Sequence, residues 1–424
     1  MHQITHKGEL HDRRHYVLGV LTLVSFFNYM DRSIISVLVE PIKADLQISD
    51  TQVGFLVGFS FAVFYASFGM PLARLADRTS RVRILSLSIV MWSVMTAVSG
   101  LTRSYWQLLL ARIGVGVGEA GCIPASHSLI TDYFPSQERA FAISVFQAGG
   151  LAGVTFGLAL AGFAAEAWGW RWAFFALGAP GILVGLLAWF TIHEPERQKN
   201  SVTHAAEVPD AHIWAGVLGL LRQKSYRHIL LAISLGNFVT LGVGQWTAPF
   251  FMRVHQLSVS EAGLWLGATS GIGAILGILL GGASSIRLVN RDRRWEVWLP
   301  AASAALALPA YLTTFLSTDV RIALMAKFIA AFVASFGSGV GLASIQSVTA
   351  PSRRALAVAV IMFASAFIGM GAGPLAVGIL SDLLAPSFGR FSIQIAIIAA
   401  LSVSVWSVFH FVMAGRSFRD DALA

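Results

Sequence analysis

Apolar residues run along this chain in long unbroken blocks, each close to the twenty or so residues that carry a helix across a bilayer. The pattern predicts an all-α membrane protein with twelve transmembrane helices, at residues 16–40, 51–73, 84–101, 106–130, 138–165, 172–191, 228–252, 261–283, 296–316, 322–346, 355–381 and 390–412. The longest polar interruption, Glu194 to Asp210, carries Pro195, Glu196, Arg197, Lys199 and Pro209 and divides the helices six and six. The expected organisation is a six-helix bundle over 1–192, a cytoplasmic linker over 193–227 and a second bundle over 228–424. Within the linker, Trp214, Leu218 and Leu221 share one helical face ahead of Arg222, Lys224 and Arg227, as in a helix lying on the membrane surface. The alternative is a plain continuation of helix 7. The first apolar block, Tyr16 to Val39, is too long for a signal-peptide core and has no small-residue cleavage site after it. It reads as a retained spanning helix.

Composition sharpens this. Of 424 residues, 56% are hydrophobic and 12% charged, about half the charged share of an ordinary soluble domain. A soluble enzyme is excluded. The single Cys122 forms no intramolecular disulfide, and no Cys/His spacing resembles a zinc site, so neither metal nor cofactor is expected. The net charge of +8 could suggest nucleic acid, but its distribution is topological. With the N-terminus inside, the cytoplasmic segments hold 21 Lys and Arg, the outer loops six, and Arg32, Arg112 and Lys327 lie within helices. By the positive-inside rule both termini are cytoplasmic, and the basic residues meet lipid headgroups. No nucleic-acid partner is needed, and a monomer is expected.

An internal repeat sets the architecture. Pro135 to Arg139 opens helix 5 and Pro351 to Arg354 opens helix 11; Ser49-Asp50 precedes helix 2 and Ser260-Glu261 precedes helix 8. Each of the latter places a serine at a helix N-cap and an acid at the positive end of the dipole. In both cases the two copies stand close to half the chain length apart. Such offsets imply two pseudo-twofold-related six-helix bundles, the transporter plan in which substrate binds between halves near the midplane.

Ionisable groups inside a membrane are functional candidates by default. Helix 1 carries Asn28, Asp31 and Arg32. Adjacent residues point about 100° apart on a helix, so Asp31 and Arg32 should each find partners elsewhere. Helix 4 carries Arg112 and Glu119, two turns apart on one stripe, with Gly114, Gly116 and Gly118 allowing close approach of a neighbour. Asp31, Arg32, Arg112 and Glu119 are expected to form one buried cluster, with Glu119 beside Arg112. The alternative is a static salt-bridge network. Asp77, Arg78 and Arg81, after helix 2, are expected to latch the cytoplasmic face. Glycines at 149, 150, 153 and 157 on helix 5, and at 369, 373 and 378 on helix 11, read as close-packing surfaces.

In the second half, helix 7 offers Asn237, Thr240, Gln245 and Trp246, with no embedded acid after it. Lys327 is expected to snorkel to the outer interface. His2, His6, His11 and His15 read as a disordered terminus. An intramembrane hydrolase would need a paired nucleophile and base, and His127 between Ser126 and Ser128 is the one candidate.

The chain resembles the major facilitator superfamily across all twelve helices. Ala73 to Arg83 is similar to that superfamily's signature after helix 2, with Ala73 and Ser80 where glycines usually stand. Finer motifs resemble the Spinster family: Asn28-Tyr-Met-Asp31-Arg32, Glu40-Pro41-Ile-Lys43, Arg112 to Glu119-Ala-Gly, Trp246-x-x-Pro249-Phe, and Gly373-Pro374 to Ser381-Asp382. The resemblance implies a bacterial inner-membrane relative of carriers for sphingosine phosphate and lysophospholipids. It implies alternating access, with Asp31, Arg32, Arg112 and Glu119 facing the cavity and the acids as candidates for proton coupling. Organic-anion carriers of the same superfamily share part of this pattern, so a small anion such as a sugar acid is the rival substrate.

Overall fold

The computed structural model describes residues 2–135, 137–195 and 210–421. Among them there are helices and no strands. The linker residues 196–209 lie outside the described residues, as does the side chain of Asp77.

Among the described residues twelve long helices follow one another. They are α1 (His2–Leu46), α2 (Asp50–Gly54, a π-helical Phe55–Phe59, then Ser60–Arg78), α3 (Arg81–Ser99), α4 (Tyr105–Glu119 and Cys122–Tyr133), α5 (Arg139–Trp168) and α6 (Trp170–Thr191). A short helix, Asp210–Arg222, precedes α7 (Lys224–Val254), α8 (Val259–Arg291), α9 (Trp295–Leu316), α10 (Val320–Phe336 and Ser338–Val348), α11 (Arg354–Ala364, a π-helical Ser365–Ala372, then Gly373–Phe388) and α12 (Ser392–Asp421). Because α1 begins at His2, the histidine tract continues the first helix, where the sequence suggested disorder. The amphipathic face of the short helix divides. Trp214 and Leu218 are exposed, while Leu220 and Leu221 pack into an apolar core with Tyr226, Ile229 and Phe418.

Contacts group the chain into two compact units. One comprises Met1–Ile48, Ser60–His204 and Ser258–Leu264; the other comprises Ser49–Phe59, Ala205–Leu257 and Trp265–Ala424. In the first, α1 packs on α5, α3 on α6 and α3 on α4; in the second, α7 packs on α11, α9 on α12 and α9 on α10. The pairing of helices is thus repeated six positions on. Glycine makes many close approaches possible, and two are the tightest. A Cβ on Gly153 of α5 would overlap the Phe26 carbonyl oxygen of α1, and one on Gly281 of α8 would overlap the Phe336 carbonyl oxygen of α10.

The internal repeat reappears in detail, with one shift of register. Ser49 caps α2 in a full capping box with Gln52. At α8 the box is formed by Ser258, whose N–H donates to Glu261 and whose hydroxyl accepts from the Glu261 N–H, so the cap falls at Ser258 and not at Ser260. The acid next to Ser260 points to that serine, whereas a capping box needs the acid three residues on. Gln47 and Gln256 precede the caps with positive φ of 52° and 58°. Caps and turns therefore recur together, each keeping the same offset between the two halves. At α5 and α11 the side chain of Arg139 donates to the Phe134 carbonyl and that of Arg354 to the Thr349 carbonyl, the same backward reach in both copies of the repeat.

A further symmetric pair is the interruption of α4 at Ala120-Gly121 and of α10 at Gly337. Both fall near the middle of a spanning helix. Breaks at corresponding positions of the two repeats are the places where membrane carriers build binding sites, because an interrupted helix frees backbone groups and turns side chains toward a cavity.

Candidate functional site

In the first unit the acids and arginines of α1 and α4 come together, but crosswise. Arg32 Nε donates to Glu119 Oε2 at 2.5 Å, while Arg112 Nη1 lies 3.5 Å from Asp31 Oδ2. The expected Glu119–Arg112 pairing is therefore not formed. Arg112 and Glu119 are two turns apart along α4, so each meets a different one of the two divergent α1 side chains. Thr96 of α3, which nothing in the sequence singled out, donates from Oγ1 to Asp31 Oδ1 at 2.5 Å. Glu119 is 0% exposed, and among the described residues neither its Oε1 nor Arg32 Nη2 has a hydrogen-bond partner. The Arg32 guanidinium lies over the rings of Tyr65, Phe61 and Tyr29, 4.8, 5.3 and 5.7 Å from their centroids. These rings shield a charged pair from solvent and leave its electrostatics strong.

Asn28, one turn before Arg32, is 0% exposed with neither amide atom paired. A buried polar group without a partner is a rarity that calls for an occupant such as water or ligand. Ser126 Oγ is likewise unpaired. His127 packs edge-on against Phe146, and Ser128 accepts from Arg81, so these three residues form no serine–histidine pair for a hydrolase.

Arg81 sits at the start of α3 with its side chain almost wholly buried. Its Nε donates to Glu194 at 2.8 Å, its Nη1 bonds Asp132 and Ser128, and its Nη2 reaches the Pro195 carbonyl. Arg78 is exposed, and the side chain of Asp77 lies outside the described residues. Of the expected latch, among the described residues only Arg81 has a placed network, and its acids come from the last turn of α4 (Asp132) and from just beyond α6 (Glu194). Burial acts to push the Glu194 carboxyl up, but hydrogen bonds from the Val82 N–H, the Ser80 hydroxyl and Arg81 outweigh it and hold the group below the ordinary glutamate range. A carboxyl depressed in the folded state adds stability above its unfolded value and loses it as pH falls through the folded one. Glu194→Gln is therefore expected to melt at a lower temperature than wild type at pH 7. The gap should close below about pH 4. A thermal melt series across pH that shows a constant gap would count against this role.

In the second unit, Asn237 and Thr240 of α7 line a cavity of about 320 Å³ together with Tyr311, Gly337 and Ser365. Gln245 is half-buried with its Nε2 unpaired. Trp246 is wholly buried and donates from Nε1 to the Pro374 carbonyl at 2.8 Å, which gives it a packing part between α7 and α11 rather than a place in the cavity wall. Lys327 does not snorkel. It is 6% exposed, with Nζ 5.4 Å from the centroid of the Tyr311 ring.

Sequence reasoning also missed a cluster at the start of α2. Asp50 is buried and takes both Nη atoms of Arg253, at 2.6 and 2.7 Å, and the Ser381 hydroxyl at 2.6 Å. Asp382 in turn accepts from the backbone N–H of Asp50 and Thr51. In the sequence Asp50 is a dipole-compensating acid and Arg253 is loop charge, and nothing local links two positions so far apart along the chain.

Comparison with known proteins agrees with this architecture. The Major Facilitator Superfamily family model matches residues 21–294. An MFS-type efflux pump of Mycolicibacterium smegmatis is 31% identical over 95% of this chain and 93% of its own, and a sphingosine-1-phosphate transporter of Danio rerio is 26% identical over 95% and 84%. The crystal structure of a bacterial homologue of the human lysosomal transporter Spinster, inward-facing and unoccupied, superposes with a TM-score of 0.85 at 30% identity, covering 97% of this chain and 98% of that one. These are transporters, and the family places this chain among them rather than among enzymes. The chain, a multi-pass membrane protein of paired six-helix repeats with a buried ionic cluster, belongs to the major facilitator superfamily as a transporter of Spinster type.

Proposed function

We propose that this transporter moves amphipathic anionic lipids, of lysophospholipid or sphingosine-phosphate type, by alternating access coupled to protons. The observation that carries the reading is the Arg32–Glu119 pair: a guanidinium under three aromatic rings, joined to a carboxylate that keeps one oxygen free. An anionic headgroup offers Arg32 a competing partner, and the displaced Glu119 then takes a proton rather than remain an uncompensated buried charge. Arg112 and Asp31 form the second exchangeable pair, and Asn28 supplies the neutral polar contact beside them. Asn237, Thr240 and Gln245 are the polar candidates of the second unit, the first two in the wall of a largely apolar cavity that suits an acyl chain.

The protein lies in a bacterial inner membrane with both termini cytoplasmic, works as a monomer, and uses the Asp77, Arg78 and Arg81 region as its cytoplasmic latch. The domain plan is a bundle over 1–192, a linker over 193–227 carrying the surface helix, and a bundle over 228–424. A small organic anion such as a sugar acid is the second reading. It is favoured by Lys327, a buried cation of the second unit where the sequence suggests an interfacial one. Uptake into proteoliposomes loaded against a pH gradient, with lysophospholipids, sphingoid phosphates and hexuronates compared, tests both. Saturable uptake of the first two supports the proposal. Uptake of hexuronate alone overturns it.

A further inference from the structure

Lys327 is a cation within a membrane-spanning helix, 6% exposed, and no carboxylate is bonded to it among the described residues. Such a group is expensive to hold in a low-dielectric interior and calls for a counter-charge. Tyr311 supplies only the face of a ring. What lies next to the pair gives it a use. On α9, Ala304, Ala307 and Tyr311 recur at spacings of three and four and line the 320 Å³ cavity; on α10, Ala334 and Ser338 line it, and Lys327 is two turns before Ala334 on the same stripe. Tyr311 stands in the wall of this cavity and Lys327 does not line it; the ammonium adjoins the cavity only through the Tyr311 ring it lies against, and the wall is otherwise largely small apolar side chains. Besides Tyr311, the cavity's polar residues are Asn237 and Thr240 from α7, Ser338, Ser404, Ser407 and Ser365, whose hydroxyl is buried and unpaired among the described residues. A volume of this size holds about ten waters, and lies at the lower end of ordinary ligand sites.

We infer that Lys327 and Tyr311 form the head of a binding site for a short-chain amphiphilic anion, an alkyl phosphate or alkyl carboxylate, whose chain lies along the cavity between α7, α9 and α10. The anionic group pairs with the Lys327 ammonium and receives a hydrogen bond from the Tyr311 hydroxyl, while the hydrocarbon replaces water against Ala304, Ala307 and Ala334. The site belongs to the second unit alone. It shares Asn237 and Thr240 with the acyl contacts proposed above but uses neither Arg32 nor Glu119, so it holds whether or not the coupling scheme does.

Calorimetric titration of the full-length purified protein with hexyl phosphate, hexanoate and the neutral control hexanol tests it. Saturable binding of either anion is expected, with the phosphate and carboxylate arms deciding which headgroup the site prefers. Lys327→Met, which removes a buried charge and keeps the length of the side chain, should weaken the anion at least tenfold and leave hexanol unchanged. Lys327→Arg should retain most of the affinity. Ala334→Phe, which fills the cavity, should abolish binding of anion and alcohol alike. In Arg32→Ala, which removes the anion contact proposed for the first unit, an anion isotherm should remain that the added Lys327→Met substitution abolishes. Wild-type affinity for both anions in Lys327→Met overturns the inference. If Arg32→Ala abolishes anion binding and Lys327→Met does not, the anion sits in the first unit; the inference then falls while the carrier reading stands.

Discussion

Glu119→Gln is expected to abolish pH-driven transport while leaving substrate binding measurable, and Arg112→Ala to remove both. Glu119 is fully buried, with Oε2 on Arg32 and Oε1 free. While Arg32 is beside it, the carboxylate is compensated. Once a substrate anion draws the guanidinium off, a bare charge in the membrane interior would be costly by several kcal/mol, and protonation removes that charge. Gln keeps the shape and can still meet Arg32 through its amide oxygen, but it has no proton to exchange. Asp31 is the competing candidate, and its environment differs in a way that matters. Both of its oxygens have partners, Thr96 on one and Arg112 on the other, so it is the better-anchored acid and the poorer proton carrier. Arg112→Ala leaves Asp31 without its cation and strips the site of a headgroup contact, which is why binding should go as well. Uptake in proteoliposomes at a series of imposed pH gradients, beside equilibrium binding on the same preparations, separates the two outcomes. A Gln variant with the wild-type pH dependence would make Glu119 structural and move coupling to Asp31 or remove it.

Helix number and repeat were legible because they rest on the longest-range regularities a sequence carries, apolar runs long enough to span a bilayer and motifs recurring at half the chain length. The cost of leaving backbone groups unpaired in lipid permits almost nothing else over such runs. The identity of the ionic cluster was legible for the same reason: four charged residues stood out against an apolar background. Their pairing was not. Whether Glu119 meets Arg112 or Arg32 depends on the rotation of α1 against α4, and the stripe argument along one helix says nothing about its neighbour. Lys327 failed similarly. One turn from a helix end, snorkelling and burial against Tyr311 follow from the same sequence, and only the packing of α9 on α10 decides between them. The breaks at Ala120-Gly121 and Gly337 were hidden because glycine in a membrane helix marks close packing as often as interruption. Gly153 and Gly281 do the first, while Gly121 and Gly337 do both, since a Cβ on them would crowd Ser88 and Pro300.

The other large effect concerns Asp50. Asp50→Ala is expected to destabilise the protein by about 3–5 kcal/mol, the usual consequence of stranding one partner of a buried ion pair. The mechanism lies with what is left behind. Arg253 would keep its guanidinium in a mostly buried position with both bidentate acceptors gone, and Ser381 would lose the acceptor of its hydroxyl. The cap that Asp382 makes to the Asp50 and Thr51 N–H groups uses backbone donors and survives the substitution. Arg253→Met should cost about as much, since it takes the bidentate cation away from the buried Asp50 carboxylate. The double variant Asp50→Leu with Arg253→Met should be markedly more stable than the sum of the two single losses implies, because both charges then disappear together. The cluster ties the first turn of α2 to α7 and α11 within one compact unit, and the double variant should still fold. Thermal melts of the two single variants and the double variant in one detergent close the cycle. Strict additivity would show that the pair contributes no coupling and that Asp50 acts through its position at the start of α2 alone.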